Sequence, residues 1–310
     1  METIEVKNIS LKASADNLQL AVIYTVPAEG TEVKGILQLV HGMCEHKERY
    51  IPFMQYMSGN GWICVLHDHR GHGASVRYPN ELGYFYDGGW KAMVEDVKVV
   101  TDWVRKAFPE TRKLCMLGHS MGSMVVRTYL KDFDDQIDKL IVCGSPSKNP
   151  AAGIGIKLCT YIIKHYGGMS RPTLVQKMSF NSFNKRFKKE GSPNAWVCSN
   201  KEIVKAYDHD PLCQYQFTAN GFFHLLNLMA ETYDKIGWHM KQPALPIRFI
   251  SGAEDPCMGN AKKFNQAVEF MRKVGYTNVS SHLYEGMRHE ILNETDKAMV
   301  WKDVLDYVNA

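Results

Sequence analysis

The sequence predicts an α/β chain in which helices wind about a mostly parallel sheet and one helical stretch interrupts the winding. Three observations predict it. Up to about residue 145, short apolar runs alternate with helix-length amphipathic segments, the pattern of successive βα units. From about Ser147 to Lys241 no convincing strand is found, only helix-compatible segments broken by Gly167-Gly168, Pro172, Pro193 and Pro211. Beyond that stretch the alternation returns. The 310 residues are therefore expected to divide into a first core part at 1–146, a helical insertion at 147–241 and a second core part at 242–310.

Taken in order, the expected strands are Leu18 to Val26, Gly35 to Val40, Trp62 to His67, Lys113 to Leu117 and Ile137 to Cys143. Ile247 to Ser251 and Val279 to Tyr284 follow the insertion. Each is an apolar or alternating run of strand length. The clearest helix spans Trp90 to Phe108, where Met93, Val97, Val100, Trp103, Val104 and Phe108 recur at spacings of three and four. Pro109 ends it. Ser123 to Lys131, Ala261 to Val274 and a closing stretch from Ile291 to Val308 are the other helices expected in the core.

With 45% hydrophobic and 23% charged residues, the chain can bury a core without help from metals or disulfides. Lys and Arg outnumber Asp and Glu by 37 to 33, and the surplus is spread along the chain, which argues against nucleic acid as a partner. Lys185-Arg186-Phe187-Lys188-Lys189 is read as a solvated helix face, with anionic lipid headgroups as its alternative contact. The first residues are acidic where a secretion signal is basic, and no run approaches the roughly 18 apolar residues of a membrane span. The 8 cysteines form no CxxC pair and sit mostly in apolar runs, as buried thiols do in a reducing compartment. A cytoplasmic location is the expectation.

The chemistry is expected at Gly118-His119-Ser120-Met121-Gly122. A G-x-S-x-G match is weak alone, since chance supplies about one in ten chains of this length. Here it follows the apolar run Leu114 to Leu117 and precedes a helical stretch, the strand, sharp turn and helix that present a serine at a sheet edge. A Cβ at Gly118 or Gly122 would crowd the neighbouring strand and helix. Serine needs a histidine base, and that base needs an acid to set its tautomer. In this arrangement the chain order is serine, acid, histidine, which leaves His282 and His289. His282 lies within an alternating strand; His289 lies in a loop before a helix and is the expected base. Glu254 and Asp255 follow the strand Ile247 to Ser251, and Asp255 is the expected acid. Backbone N–H groups of Met121 and Met43 are the expected donors to the oxyanion, Met43 because Gly42 permits a tight turn after the strand ending at Val40.

His41-Gly42-Met43-Cys44-Glu45-His46, Asp68-His69-Arg70-Gly71-His72-Gly73-Ala74-Ser75, Gly118 to Gly122, Gly252 to Asp255 and His289 together resemble the monoacylglycerol lipase and lysophospholipase group of α/β-hydrolases. These motifs stand in the family's order over nearly the whole chain. The resemblance implies an eight-stranded, mostly parallel sheet and a helical cap inserted after the sixth strand. It also implies hydrolysis of monoacyl esters by Ser120, Asp255 and His289 without a cofactor or metal. Met43 and Cys44 stand where family members commonly carry a small residue, and the cap is the least matched region.

His67, Asp68, His69 and His72 have no zinc-site spacing, and a tight turn that holds the oxyanion loop by side-chain hydrogen bonds is the expected reading. Apolar and aromatic residues of the cap, among them Phe180, Phe183, Trp196, Leu226 and Met229, are expected to pack it on the core and to bound an acyl pocket. Ile154 to Tyr166 is a place where lipid could be touched. Two other readings stay open. One is an aminopeptidase or amidase, in which Glu190, Glu202, Asp208 or Asp210 would hold a free amino group; the other is a silent hydrolase fold used for binding.

Overall fold

A computed structural model describes residues 4–310. In the first core part the chain forms β1 (Val6–Lys12), β2 (Gln19–Thr25), β3 (Gly35–Val40), α1 (Ile51–Gly59), β4 (Trp62–His67), α2 (Gly89–Ala107), β5 (Leu114–His119), α3 (Met121–Phe133) and β6 (Lys139–Cys143). Then come α4 (Ala152–Tyr166), α5 (Thr173–Phe180), α6 (Lys201–His209) and α7 (Ala219–Thr232), with no strand between β6 and β7. The chain closes with β7 (Ile247–Gly252), α8 (Ala261–Val274), β8 (Val279–Tyr284) and α9 (Lys297–Asn309).

The eight strands form one sheet in the order β1-β2-β4-β3-β5-β6-β7-β8. β2 runs antiparallel to both β1 and β4, and every other neighbouring pair is parallel. Alternate residues feed two cores. Ile36, Val40, Met116, Val142 and Phe249 pack with side chains of α2, α3 and α8. Leu37, Leu39, Leu117, Ile141 and Ile250 point the other way and pack with α1 and α9. Both faces are covered, which is why these strands read as unbroken apolar runs.

Three expectations need correction. β1 escaped the sequence reading because it is an edge strand with half-exposed alternation, paired along its length with β2 from Val6↔Thr25 to Lys12↔Gln19. The closing helix is not continuous: Ile291–Asn293 makes one tight turn and α9 starts only at Lys297. Glu294 at the break turns back to accept from Arg288 N–H at 2.8 Å and Ser199 N–H at 3.0 Å. The basic run Lys185 to Lys189 lies in a 3₁₀ stretch, Phe183–Glu190, not an α-helix. Its lysines and Arg186 are exposed, and Phe187 turns inward beneath the Arg288 guanidinium, 3.9 Å from the ring centre. All eight cysteines are free, and only Cys257 is not fully buried. Among the described residues no helix is long and apolar enough to cross a membrane.

Candidate active site

β5 ends at His119 and α3 begins at Met121, so Ser120 makes the whole turn between strand and helix. It does so at φ 53°, ψ −118°, a left-handed conformation that L residues adopt only when surroundings impose it. The two glycines supply that imposition. A Cβ on Gly118 would lie 2.5 Å from Gly122 O, and one on Gly122 would lie 2.2 Å from Val40 O and 2.4 Å from His41 O. Helix and sheet thus approach to backbone contact. Ser120 N–H donates to Cys143 O at 2.9 Å and Ser123 Oγ donates to Ser120 O at 2.6 Å, which fixes the turn on both sides.

Asp255 lies buried just beyond β7 and His289 in the turn after β8. His289 Nδ1 donates to Asp255 Oδ2 at 2.9 Å; the same oxygen accepts from Ser251 Oγ at 3.0 Å, and Oδ1 accepts from Cys257 N–H at 2.8 Å. With Nδ1–H committed, Nε2 carries the free lone pair. Ser120 and His289 face one cavity, and no hydrogen bond joins Ser120 Oγ to His289 in the described structure. Such bonds are often loose until substrate arrives. The rejected candidates stay apart. Glu254 makes no hydrogen bond to His289 in the described structure, and His282 is exposed on edge strand β8 against Tyr284, ring centres 4.5 Å apart.

Met121 opens α3, where its N–H has no acceptor within the helix. Met43 follows Gly42, whose own N–H is taken by Glu45 Oε1. Both methionines line the cavity with Ser120. Beneath them the Asp68 to Ser75 segment works as a clamp. His41 Nδ1 donates to Gly42 O at 2.7 Å and its Nε2 accepts from His69 N–H at 2.9 Å; His69 Nε2 donates to His41 O at 3.0 Å. Asp68 accepts from Lys47 Nζ, Lys47 N–H and Ala74 N–H, each at 2.8 Å. Burial drives the neighbouring imidazoles toward the neutral form: His67 falls to about 3 and His72 to about 4, with His41 and His69 also held well below the usual range.

A second network was not foreseen. His119 Nδ1 bonds Glu45 Oε1 at 2.8 Å and His119 Nε2 donates to His289 O at 3.2 Å. Tyr50 OH donates to the same Glu45 oxygen at 3.1 Å, and Arg49 grips Glu290 with two bonds of 2.5 and 2.6 Å. Burial disfavours both charges, yet the paired charges prevail: Glu45 is held at about 2 and His119 is raised. The turn after β3, the serine turn and the histidine loop are thereby tied through the Glu45–His119 pair. Glu45 and His119 stand inside the quoted motifs, whereas Arg49, Tyr50 and Glu290 lie outside them, and no local pattern marks the pairing.

The cavity, about 1060 Å³, has a core wall and a wall from the β6–β7 insertion, where Phe180, Phe183, Trp196, Leu226 and Met229 line it. Lys148, Lys185, Lys188 and Lys263 also line it, and none has a carboxylate within salt-bridge reach among the described residues. The four acids considered for an amino group lie elsewhere. Glu190 is held by Arg288 at 2.6 and 3.0 Å, Asp208 by Ser192 Oγ at 2.6 Å and Asn194 Nδ2 at 2.7 Å, and Asp210 by His46 at 2.8 Å. Glu202 is exposed on the first turn of α6. Among the described residues, two groups bring metal-ligand side chains together: His46, Asp210 and Cys213, and Asp255, Cys257 and His289.

Residues 31–296 match the family described as serine aminopeptidase, S33. A monoacylglycerol lipase of Mycolicibacterium smegmatis is 23% identical over 290 residues, 93% of this chain and 92% of that protein. A monoglyceride lipase homolog of monkeypox virus is 25% identical, over 90% of each chain. Among solved structures, a thermostable carboxyl esterase from Bacillus coagulans superposes with a TM-score of 0.89 at 24% identity, covering 99% of both chains. A monoglyceride lipase from Saccharomyces cerevisiae gives 0.74 at 19% identity, covering 100% of this chain and 96% of that one. These likenesses are of fold. The sheet order, the strand-turn-helix at Ser120 and a family match over 31–296 lead to one conclusion: the chain belongs to the serine aminopeptidase S33 family and has the α/β-hydrolase fold.

Proposed function

We propose that the protein is a serine ester hydrolase that cleaves monoacyl esters of the monoacylglycerol or lysophospholipid kind through an acyl group carried on Ser120. The observation that carries this reading is Ser120 held at φ 53° over a cavity it shares with His289, whose Nδ1 is bonded to Asp255. His289 Nε2 takes the Ser120 proton as Oγ attacks the ester carbonyl, and Asp255 steadies the imidazolium that forms. The N–H groups of Met43 and Met121 receive the oxyanion. His289 then protonates the departing alcohol, and water repeats the sequence to release the acid. The insertion acts as a cap whose apolar residues meet the acyl chain.

An ester is favoured over an arylamide with a free amine because Glu190, Glu202, Asp208 and Asp210 do not line the cavity, and the two carboxylates that do, Glu45 and Glu290, are engaged by His119 and Arg49. The unpaired lysines lining it favour a substrate with an anionic headgroup. Ile154, Tyr161 and Tyr166 are exposed on α4 beside the exposed Lys157 and Lys164, and we take this helix as the part that rests on the lipid holding the substrate. Purified protein should hydrolyse p-nitrophenyl acyl esters faster than an aminoacyl arylamide, and Ser120→Ala should lower ester turnover by at least about 10⁴-fold. Undiminished turnover by that variant, or faster arylamide cleavage, would overturn the reading.

A further inference from the structure

Cys257 stands apart from the other seven cysteines because it alone is partly exposed, and it lines the same cavity as Ser120 and His289. Its Sγ lies 3.9 Å from His289 Nε2. That nitrogen belongs to a residue only 4% exposed, and the thiol is its sole protein neighbour in the described hydrogen bonding. Two ligands at ordinary Zn–S and Zn–N lengths and a tetrahedral angle stand about 3.6 Å apart, so a shift of a few tenths of an ångström brings both onto one ion. The Asp255–His289 bond of 2.9 Å is the carboxylate–histidine pairing that sets a metal-ligating imidazole, with Nδ1–H on the carboxylate and Nε2 free. Asp255 also fixes the other ligand, through its 2.8 Å bond from Cys257 N–H.

From this geometry we infer that Cys257 Sγ and His289 Nε2 form an inhibitory site for a thiophilic divalent cation such as Zn²⁺. On binding, the Cys257 thiol gives its proton to solvent as the metal–sulfur bond forms, and His289 donates its Nε2 lone pair while keeping Nδ1–H on Asp255. The remaining positions on the ion are filled by water. With Nε2 occupied, nothing can accept the Ser120 proton, so the metal stops the reaction without leaving the substrate cavity. The inhibition, though not the binding, rests on the proposed role of His289.

Co²⁺ and Zn²⁺ test the two parts separately. Co²⁺ added to the Ser120→Ala protein should produce a thiolate-to-cobalt charge-transfer band, lost in Ser120→Ala/Cys257→Ala and kept in Ser120→Ala/Cys213→Ala. Because this protein has no nucleophile, the reading holds whether or not the ester hydrolase assignment stands. In otherwise native protein, Zn²⁺ should suppress ester turnover and a chelator should restore it. Cys257→Ala should raise the half-inhibitory Zn²⁺ concentration at least about tenfold relative to its own metal-free rate. A band that survives loss of Cys257, a band that follows Cys213 and the His46–Asp210 cluster, or equal Zn²⁺ sensitivity with and without Cys257 would each overturn the proposal.

Discussion

On the core wall of the cavity, Ser120, Met121 and Met43 owe their positions to backbone: a positive φ, a helix start and a turn after β3, all pressed together at glycines. On the cap wall, Phe180 ends α5, Phe183 sits in the 3₁₀ stretch, Trp196 in a loop, and Leu226 and Met229 on α7. These are held by side-chain packing, such as Phe183 against Trp196 at 5.0 Å and Trp196 against His289 at 5.1 Å. The difference teaches where each property resides. Chemistry needs few atoms placed closely and draws on backbone geometry, whereas substrate choice is spread over many replaceable side chains.

Two glycine substitutions should break this contrast most sharply. Gly122→Ala drives a methyl into the Val40 and His41 carbonyls, and neither strand nor helix can retreat. A loss of at least about 3 kcal/mol is expected, with much of the protein insoluble. Gly153→Ala, on exposed cap helix α4 where a Cβ meets nothing within 4 Å, should instead add about 0.5–1 kcal/mol. Urea denaturation of the two variants decides it, and a pair of equal sign would remove the distinction between the walls.

Glu45→Gln sharpens the same contrast by loosening the core wall without emptying it. The amide can still accept from Gly42 N–H, but it cannot balance the charge that Glu45 now confers on buried His119. We expect kcat to fall about 10–100-fold through misplacement of the serine and oxyanion turns, with KM for a short ester little changed. Stability should drop by about 3 kcal/mol, as when one partner of a buried pair is removed. A rise in KM with kcat intact would move Glu45 out of this positioning role.

The turns and strands of the core were legible because β3 to β7 are buried on both faces and read as largely apolar runs, because edge strand β8 alternates, and because a nucleophile turn demands glycines at fixed offsets. β1 was not, since an edge strand exposes every second residue. The Glu45–His119 wiring joins residues 74 apart in sequence, and no local pattern encodes such a pair. In the cap, periodicity marks which face of a helix is apolar but not what it meets: Phe217 and Phe222 are buried, Phe180 lines the cavity, and Tyr161 is exposed.

Acid should injure the core wall first. His41, His67, His69 and His72 form a stack beneath the oxyanion turn, and burial keeps all four neutral in the fold, whereas the unfolded chain protonates them near 6.5. As pH falls below about 6.5 the unfolded state takes up protons the fold refuses, so stability declines progressively, for His67 until about 3 and for His72 until about 4. His119 and His46 are raised, so their contribution is gained above pH 6.5, as pH falls through their folded values, and is already complete below 6.5, where it does not offset the decline. His67 has no hydrogen-bond partner at either nitrogen, so His67→Phe removes one titration without breaking a bond. Its melting temperature should fall less steeply between pH 6.5 and 5 than that of the native protein, and an unchanged slope would exclude the stack as the cause.

The smallest effect belongs to the cap rim. Lys185 and Lys188 are exposed, line the cavity and have no carboxylate partner in reach, so replacing both by Gln should leave fold and kcat alone. Each exposed charge contributes at most about 1 kcal/mol to an anion nearby, which amounts to a rise in KM of up to about fivefold per lysine for a monoacyl ester with a phosphate-bearing headgroup. The KM for a neutral glycerol monoester should not move, because that headgroup offers no charge to lose. The difference should also shrink in high salt, since exposed charges are screened there and the buried core network is not. Equal changes for both esters, or a difference that ignores salt, would mean that the lysines shape the entrance without reading the headgroup, and selectivity would then lie in the apolar cap residues alone.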